Sequence, residues 1–187
     1  MATNKPCADK AVITKFIFEI MKDWLNAPDQ GGMFEIRCLG EHRTPVNECF
    51  TRDEVDRAVD LALEMNANGL NVYMTINSIN PSAVIKAGKG ATDSDILRAH
   101  YSFADADDLQ GLAGINQLVH PYEPDILVTT GTTPHERRHV YWRLSEPCQD
   151  LNLWRETQKL IASKLETDPS VRNPSRIMRV AGTVSYP

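Results

Sequence analysis

The sequence predicts an α+β fold in which an open mixed or antiparallel sheet carries helices on one face and an acidic cleft on the other. Three observations carry that expectation. Helix-periodic segments alternate with short strand-like runs, the strands are apolar on one side and polar on the other, and the polar sides collect Asp, His and Arg. The 187 residues, 42% hydrophobic and 24% charged, match one domain with length enough to bury a proper core. We expect a single domain over 1–187, with an N-terminal helical extension at 1–32 and the core at 33–187.

Residues 11–27 read as an amphipathic helix, because Ile13, Phe16, Ile17, Ile20, Met21, Trp24 and Leu25 follow the i, i+3, i+4 spacing. Pro28 and Gly31-Gly32 break it. Met33 to Leu39 alternates as a strand, with Phe34, Ile36 and Cys38 opposite Glu35 and Arg37. Gly40 to Phe50 reads as a polar loop or irregular hairpin. Thr51 with Glu54 is a capping-box pair opening a helix to about Ala67, and Asn68-Gly69 ends it. Leu70, Val72, Met74 and Ile76 form the inward side of a strand running to Asn77. Asn80 to Gly90, with Pro81, Gly88 and Gly90, reads as a mobile loop. Thr92 can cap a short helix through about Arg98, and Leu109 to Val119 can be helical despite two glycines. Asp125–Thr130 and Arg137–Leu144 read as strands; in the second, Arg137, His139, Tyr141 and Arg143 share one face. Asp150 caps a helix to about Leu165. The tail from Asp168 to Pro187 is short of helical pattern and rich in Pro, Arg and Gly. Glu35, Arg37, Asp105, Asp107, Arg137 and His139 are expected on the polar side of the sheet.

Several functional classes are disfavoured at this level. The net charge of −5 argues against a generic nucleic-acid-coating protein, although residues 133–187 hold 9 basic against 6 acidic residues and residues 1–132 hold 11 against 19. Cys7, Cys38, Cys49 and Cys148 lack a Cys-x-x-Cys spacing, so reduced thiols in a cytoplasmic protein are expected, and structural zinc is not. Met1 to Lys10 has no signal-peptide core and no apolar run reaches transmembrane length, so no membrane partner is expected.

The most informative stretch is Tyr101-Ser102-Phe103-Ala104-Asp105-Ala106-Asp107-Asp108. It reads as a strand ending in acid, and the period of two puts Asp105 and Asp107 on one face, about 7 Å apart along the backbone. Two converging carboxylates repel unless a cation lies between them, and hard oxygen ligands suit Mg²⁺ or Mn²⁺. An Asp-x-Asp alone is more often a solvated turn than a metal site. The pair Asp105/Asp108 also stays open, although the alternation turns Asp108 to the opposite face. His135 and His139 stand four apart, but Pro134 and the strand alternation argue against a helical zinc pair. Asp105/Asp107, His139 and the tail from Asp168 through Arg176 and Arg179 together supply three carboxylates, one His and several arginines. Two-metal phosphoryl transfer needs that set.

Phe103-Ala104-Asp105-Ala106-Asp107, Arg137-Arg138-His139-Val140-Tyr141-Trp142, and Asp168 followed by Pro174-Ser175-Arg176-Ile177-Met178-Arg179-Val180-Ala181-Gly182-Thr183 resemble the three motifs of the archaeo-eukaryotic primase superfamily. The likeness is to its plasmid- and phage-borne branch of RepB-type primases and primase-polymerases, and it spans about residues 33–187. Phe34-Glu35-Ile36-Arg37 and Gly69-Leu70-Asn71-Val72-Tyr73 also look like early strands of that branch.

The resemblance implies an RRM-like palm and a catalytic core that makes primers on single-stranded DNA from dNTPs or NTPs during plasmid, phage or mobile-element replication. It implies Asp105, Asp107 and Asp168 as ligands of a two-metal Mg²⁺ or Mn²⁺ site, and His139 at the incoming nucleotide's phosphates. Arg176 and Arg179 are implied as nucleotide or template contacts, the division between them left open, with Arg37 and Arg138 as further contacts. It implies too that the chain is the N-terminal part of a longer replication protein continuing into a helical or helicase region. One departure is plain: the family usually has Ser or Thr two residues before the second-motif His, where this chain has Arg137. Two other classes compete with this reading. A rolling-circle initiator or relaxase-like nickase lacks support because no His-hydrophobe-His triplet is present, and a non-catalytic nucleic-acid-binding module is disfavoured by the retained acids and His.

Overall fold

The computed structural model describes residues 7–25 and 32–186. In chain order the elements are α1 (Lys10–Met21), β1 (Phe34–Leu39), β2 (Val46–Phe50), α2 (Val55–Ala67), β3 (Asn71–Thr75), β4 (Ser78–Ile79), β5 (Ile96–Ala106), α3 (Leu109–Asn116), β6 (Ile126–Gly131), β7 (Arg137–Cys148), α4 (Leu151–Leu165) and β8 (Ile177–Arg179). The fold is α+β with antiparallel strand pairing throughout the described residues. Its strands divide between two four-stranded sheets belonging to two compact units.

The first unit comprises Met1–Thr75, Pro81–Ala91 and Ile177–Pro187, with strand order β2-β1-β3-β8. Asp9 starts α1 by accepting the N–H groups of Ala11 and Val12, an N-cap that satisfies two otherwise orphaned donors. The expected stripe Ile13, Phe16, Ile17, Ile20 and Met21 is buried. The expected helix end at Asn26 and Ala27, its Pro28 break and Pro187 lie outside the described residues. Phe34, Ile36, Cys38, Val72 and Met74 have no exposed surface, and α2 packs on β1 and β3. The other side of β1 is not solvated. Glu35 is fully buried, paired to Arg37 through Nη2 at 2.6 Å and Nε at 2.9 Å, and it accepts the Ala91 N–H at 2.9 Å. A buried carboxylate persists only with such partners.

The second unit comprises Ile76–Asn80 and Thr92–Arg176, with strand order β4-β5-β7-β6. One side of its sheet forms a core of Ala104, Ala106, Ile115 and Val140, with Trp142 and Ile161 packed against it. α3 and α4 both pack on β5.

Several sequence expectations need correction. The helix proposed from Thr92 to Arg98 is a single 3-10 turn over Asp93–Asp95. Thr92 and Asp95 form the capping box, but Ile96 and Arg98 pair with Ile79 and Ser78, and this pairing takes the chain into β5. Of the two readings of Gly40–Phe50, loop or irregular hairpin, the hairpin holds, and its pairing is regular: β2 is registered from Phe34↔Phe50 to Cys38↔Val46. The loop read as mobile is tied to the first unit's sheet by Gly88 N–H on Asn47 Oδ1 and by Ala91 on Glu35. The six polar-face residues do not share one sheet: Glu35 and Arg37 belong to the first, Asp105 and His139 to the second. The tail contains β8, which pairs with β3; three residues carry too little periodicity to be read from sequence.

All four cysteines are free, and burial pushes the Cys38 thiol up to about 12. No helix among the described residues is long and apolar enough to cross a membrane.

Candidate active site

β5 and β7 build the acidic face as a ladder of opposed residues. Tyr101 lies across from Arg143, Phe103 from Tyr141, and Asp105 from His139. Opposed residues of an antiparallel pair project to the same side, so the face expected from the alternation of β7 is the face that carries Asp105. The aromatic part of this ladder is closed. Tyr101, Phe103 and Tyr141 are at most 1% exposed, and Phe103 lies 6.4 Å from Tyr141 and 5.4 Å from Trp154, ring centre to ring centre. The ladder opens at its acidic end, where Asp107 is exposed.

His139 is buried and its Nε2 stands 3.4 Å from Asp105 Oδ2. Its Nδ1 is 3.5 Å from the Tyr141 hydroxyl. Burial, and after it the Asp105 carboxylate, raise the Tyr141 phenol well above its usual value, so Tyr141 stays neutral beside Nδ1. Asp105 Oδ1 is buried without a hydrogen-bond partner.

The turn after β5 is fixed by two further residues. Asp108 caps α3, its carboxylate accepting the Gly111 N–H at 2.8 Å. Asp108 thus serves the helix through Oδ1. His135 Nε2 donates to the Asp107 carbonyl at 2.7 Å, which explains the histidine four residues before His139 without zinc.

Asp168 arrives from α4. Along β5 the backbone edge not used by β7 is filled by side chains: Trp154 Nε1 donates to the Tyr101 carbonyl at 2.9 Å, and Gln158 accepts the Phe103 N–H at 3.3 Å while donating to its carbonyl at 2.8 Å. A sheet edge buried this way needs such partners. The next group on that edge, the Asp105 carbonyl, takes the Asp168 N–H at 3.1 Å. The end of α4 is positioned in turn by Gly114 of α3, where a Cβ would stand 2.2 Å from the Leu165 carbonyl oxygen. Only glycine permits that approach, which accounts for a helix-weakening residue inside α3.

The two carboxylates of the face repel each other. Asp107 reaches solvent, yet the protein around its carboxyl desolvates it. That burial, then the neighbouring Asp105 carboxylate, raises Asp107 above the usual carboxylate range, while His139 and Arg137 pull it down. Asp105 with its unpartnered oxygen and Asp107 beside it are a hard-oxygen pair that fits one divalent cation. Asp168 is differently engaged: its carboxylate accepts the Ser170 N–H at 2.8 Å, the Ser170 hydroxyl at 2.7 Å and Arg176 Nη2 at 3.4 Å. Among the described residues no group of three or more His, Cys, Asp or Glu side chains is arranged to hold a metal ion. The structure brings Asp168 to the acidic strand by its backbone and turns its carboxylate to Ser170 and Arg176.

The remaining expected site residues have these places. Arg176 spans Asp168 and Ser170, bonding the Ser170 hydroxyl at 2.8 Å. Arg138 lies on the other side of β7 and is held by Glu136 through Nε and Nη2, both at 2.9 Å, and by Asn116 at 2.8 Å. Arg37 and Arg179 belong to the first unit. There Arg37 pairs with Glu35, while Arg179 stacks over Tyr73 at 5.1 Å and bonds Asn71 and the Tyr73 hydroxyl. Tyr141 and His135 were not singled out as working residues from sequence; the alternation of β7 already placed Tyr141 beside His139.

No family model matches the chain, and no curated protein matches it in sequence. Solved structures do. The AEP domain of the primase-polymerase of cyanophage S-2L superposes with a TM-score of 0.66 at 20% identity, covering 96% of this chain and 85% of that one. The primase RepB' gives 0.59 at 17% identity over 92% of this chain and 51% of its own length. The catalytic domain of RepB' in complex with initiator DNA gives 0.59 at 17% identity, over 94% and 78%. The chain therefore has the fold of the archaeo-eukaryotic primase catalytic domain, the fold that its three motifs resemble.

Proposed function

We propose that this chain is a DNA primase or primase-polymerase domain, which transfers nucleotidyl groups onto a growing primer on a single-stranded DNA template. The setting we propose is plasmid, phage or mobile-element replication, on the strength of the likeness to the cyanophage and RepB' enzymes. The observation that carries the reading is the opposition of Asp105 and His139 across β5 and β7, with Asp107 on the adjoining turn and Asp168 bonded to the Asp105 backbone.

In this reading Asp105 and Asp107 hold Mg²⁺ or Mn²⁺. A cation held there would supply Lewis-acid chemistry, lowering the pKa of the attacking hydroxyl and offsetting charge on the transferred phosphoryl group. The chain's own residues prepare that site. His139 Nε2 stands against Asp105 Oδ2, Asp105 Oδ1 is left without a protein partner, and the Tyr141 hydroxyl faces His139 Nδ1. Contact between His139 and a phosphate requires the ring to give up Asp105, so its first role is to orient that carboxylate. Arg176 and Ser170 hold Asp168 beside the pair, and its release from them would complete a three-carboxylate set. Arg176 would then be free to meet an anionic phosphate. Arg179 is the arginine of the first unit best suited to a nucleotide or template contact, since its aromatic stack leaves a planar cation at the sheet face. Arg37 and Arg138, both committed to glutamates, act on structure first.

The test is synthesis of labelled product on single-stranded DNA with dNTPs and NTPs supplied in parallel and Mg²⁺ or Mn²⁺ present. Template-dependent oligonucleotides support the reading. A nicked template carrying a covalent 5′ adduct, or binding without product, overturns it.

A further inference from the structure

The backbone ladder between β5 and β7 ends at Ala106 and Arg138, one residue short of Asp107. A chain that leaves its ladder must find new partners for its peptide groups, or leave them to water and lose the fixed course of the strand. At Asp107 the partner is a side chain from 28 positions away: His135 Nε2 lies 2.7 Å from the Asp107 carbonyl oxygen. A carbonyl only accepts, so Nε2 carries a proton and donates. The imidazole thus continues by one rung the pairing that the two backbones have given up.

The half-buried His135 stands on a fixed base. The next residue, Glu136, accepts the Thr129 hydroxyl of β6 at 3.2 Å and two Arg138 donors at 2.9 Å. Asp107 is consequently held from both sides. Its carbonyl is taken by His135, and the residue after it is anchored to α3 through the Gly111 N–H on Asp108 at 2.8 Å. Such holding has work to do here, because the Asp105 and Asp107 carboxylates repel each other and a free strand end would relieve that repulsion by swinging away. A backbone tied at this point keeps the pair converging before any cation arrives.

We propose that His135 is a positioning residue of the acidic site, which raises its affinity for a divalent cation by fixing the main chain of Asp107. The proposal rests on the metal-dependent reading above and adds to it a residue that need touch neither cation nor nucleotide. Groups that orient a ligand from behind set metal affinity nearly as strongly as the ligands themselves. The role requires an N–H donor at the reach of the imidazole, and no charge. Glutamine keeps such a donor; phenylalanine keeps the ring and removes it.

The experiment measures Mn²⁺ binding by calorimetry, melting temperature, and primer synthesis on single-stranded DNA as a function of Mn²⁺ concentration. Wild type is compared with His135→Phe and His135→Gln. We expect His135→Phe to weaken Mn²⁺ about tenfold or more and to raise by a similar factor the Mn²⁺ needed for half-maximal synthesis. The rate at saturating Mn²⁺ changes far less, and His135→Gln recovers part of the lost affinity. A purely structural histidine would lower the melting temperature and leave the Mn²⁺ midpoint of the folded protein in place. If His135→Phe fails to fold, His135→Ala takes its place against His135→Gln. Mn²⁺ affinity within about twofold of wild type in the folded variant that lacks the donor overturns the proposal. Wild type that binds Mn²⁺ and primes while that variant keeps its affinity sinks this inference alone. Wild type that neither binds Mn²⁺ nor primes sinks the nucleotidyl-transfer reading with it.

Discussion

The Asp168 N–H donates to the Asp105 carbonyl at 3.1 Å, so two acids 63 positions apart in the chain are joined through their backbones before their carboxylates meet any ligand. The bond closes the edge of β5 that Trp154 and Gln158 have already filled, and it depends on where α4 ends. Gly114 sets that end by letting α3 lie against Leu165. Gly114→Ala puts a methyl group against backbone that has no room to yield. We expect a loss of about 1–3 kcal/mol in urea unfolding together with a fall in primer synthesis larger than the stability loss explains, because Asp168 is carried away from Asp105. A stable variant with full activity would show that the placement of Asp168 is immaterial.

Asp107 and Asp108 are adjacent, and the proposed reading gives them different work. Asp108 caps α3 through Gly111, so Asp108→Ala is expected to cost about 1 kcal/mol of stability and to leave synthesis near wild type once the protein is folded. Asp107→Asn is expected to do the reverse, keeping the melting temperature and removing synthesis. Thermal denaturation and a primer gel on both variants distinguish the pair; exchanged phenotypes would put the metal ligand at Asp108.

The buried His100 gives stability a defined pH dependence. Burial, then the charge of Arg98, lowers its imidazole to about 4, with Nε2 against the Ser78 hydroxyl at 3.0 Å. The unfolded chain takes up this proton near pH 6.5 and the folded chain only near 4. Between those values the unfolded state binds more protons, and stability falls as the pH is lowered through that window. His100 alone accounts for about 3 kcal/mol of that fall. Urea unfolding at pH 7, 5.5 and 4 should show a shallower decline in His100→Gln than in wild type. Parallel declines would mean that other groups carry the acid sensitivity.

Much of this site was legible because strands repeat every two residues. Tyr101 to Asp107 and Arg137 to Arg143 each declared a face, and the register set those faces against each other. What stayed hidden depends on contacts between distant segments. Nothing near Asp108 announces that it caps a helix until α3 is known to be helical, and α3 looks weak because of the glycines that let it pack. The place of Asp108 and the helix after it were thus legible only together. The Thr92 turn shows the opposite limit: its capping box formed as read, but pairing with β4 outweighed local helix preference over the next residues. Two sheets were read as one because alternation reports which side a residue faces and not which strand lies beside it.

The most direct test of the account replaces both acids of the ladder's open end, Asp105→Asn with Asp107→Asn. The substitution keeps side-chain shape and removes the charge proposed to hold the cation. Single-turnover primer synthesis on single-stranded DNA is measured for the double variant and for wild type, at matched folded fraction. We expect product formation to fall by about a thousandfold or more while the melting temperature stays the same or rises, since two repelling carboxylates are relieved. Synthesis by the folded double variant within about tenfold of wild type would contradict a nucleotidyl-transfer site at Asp105 and Asp107.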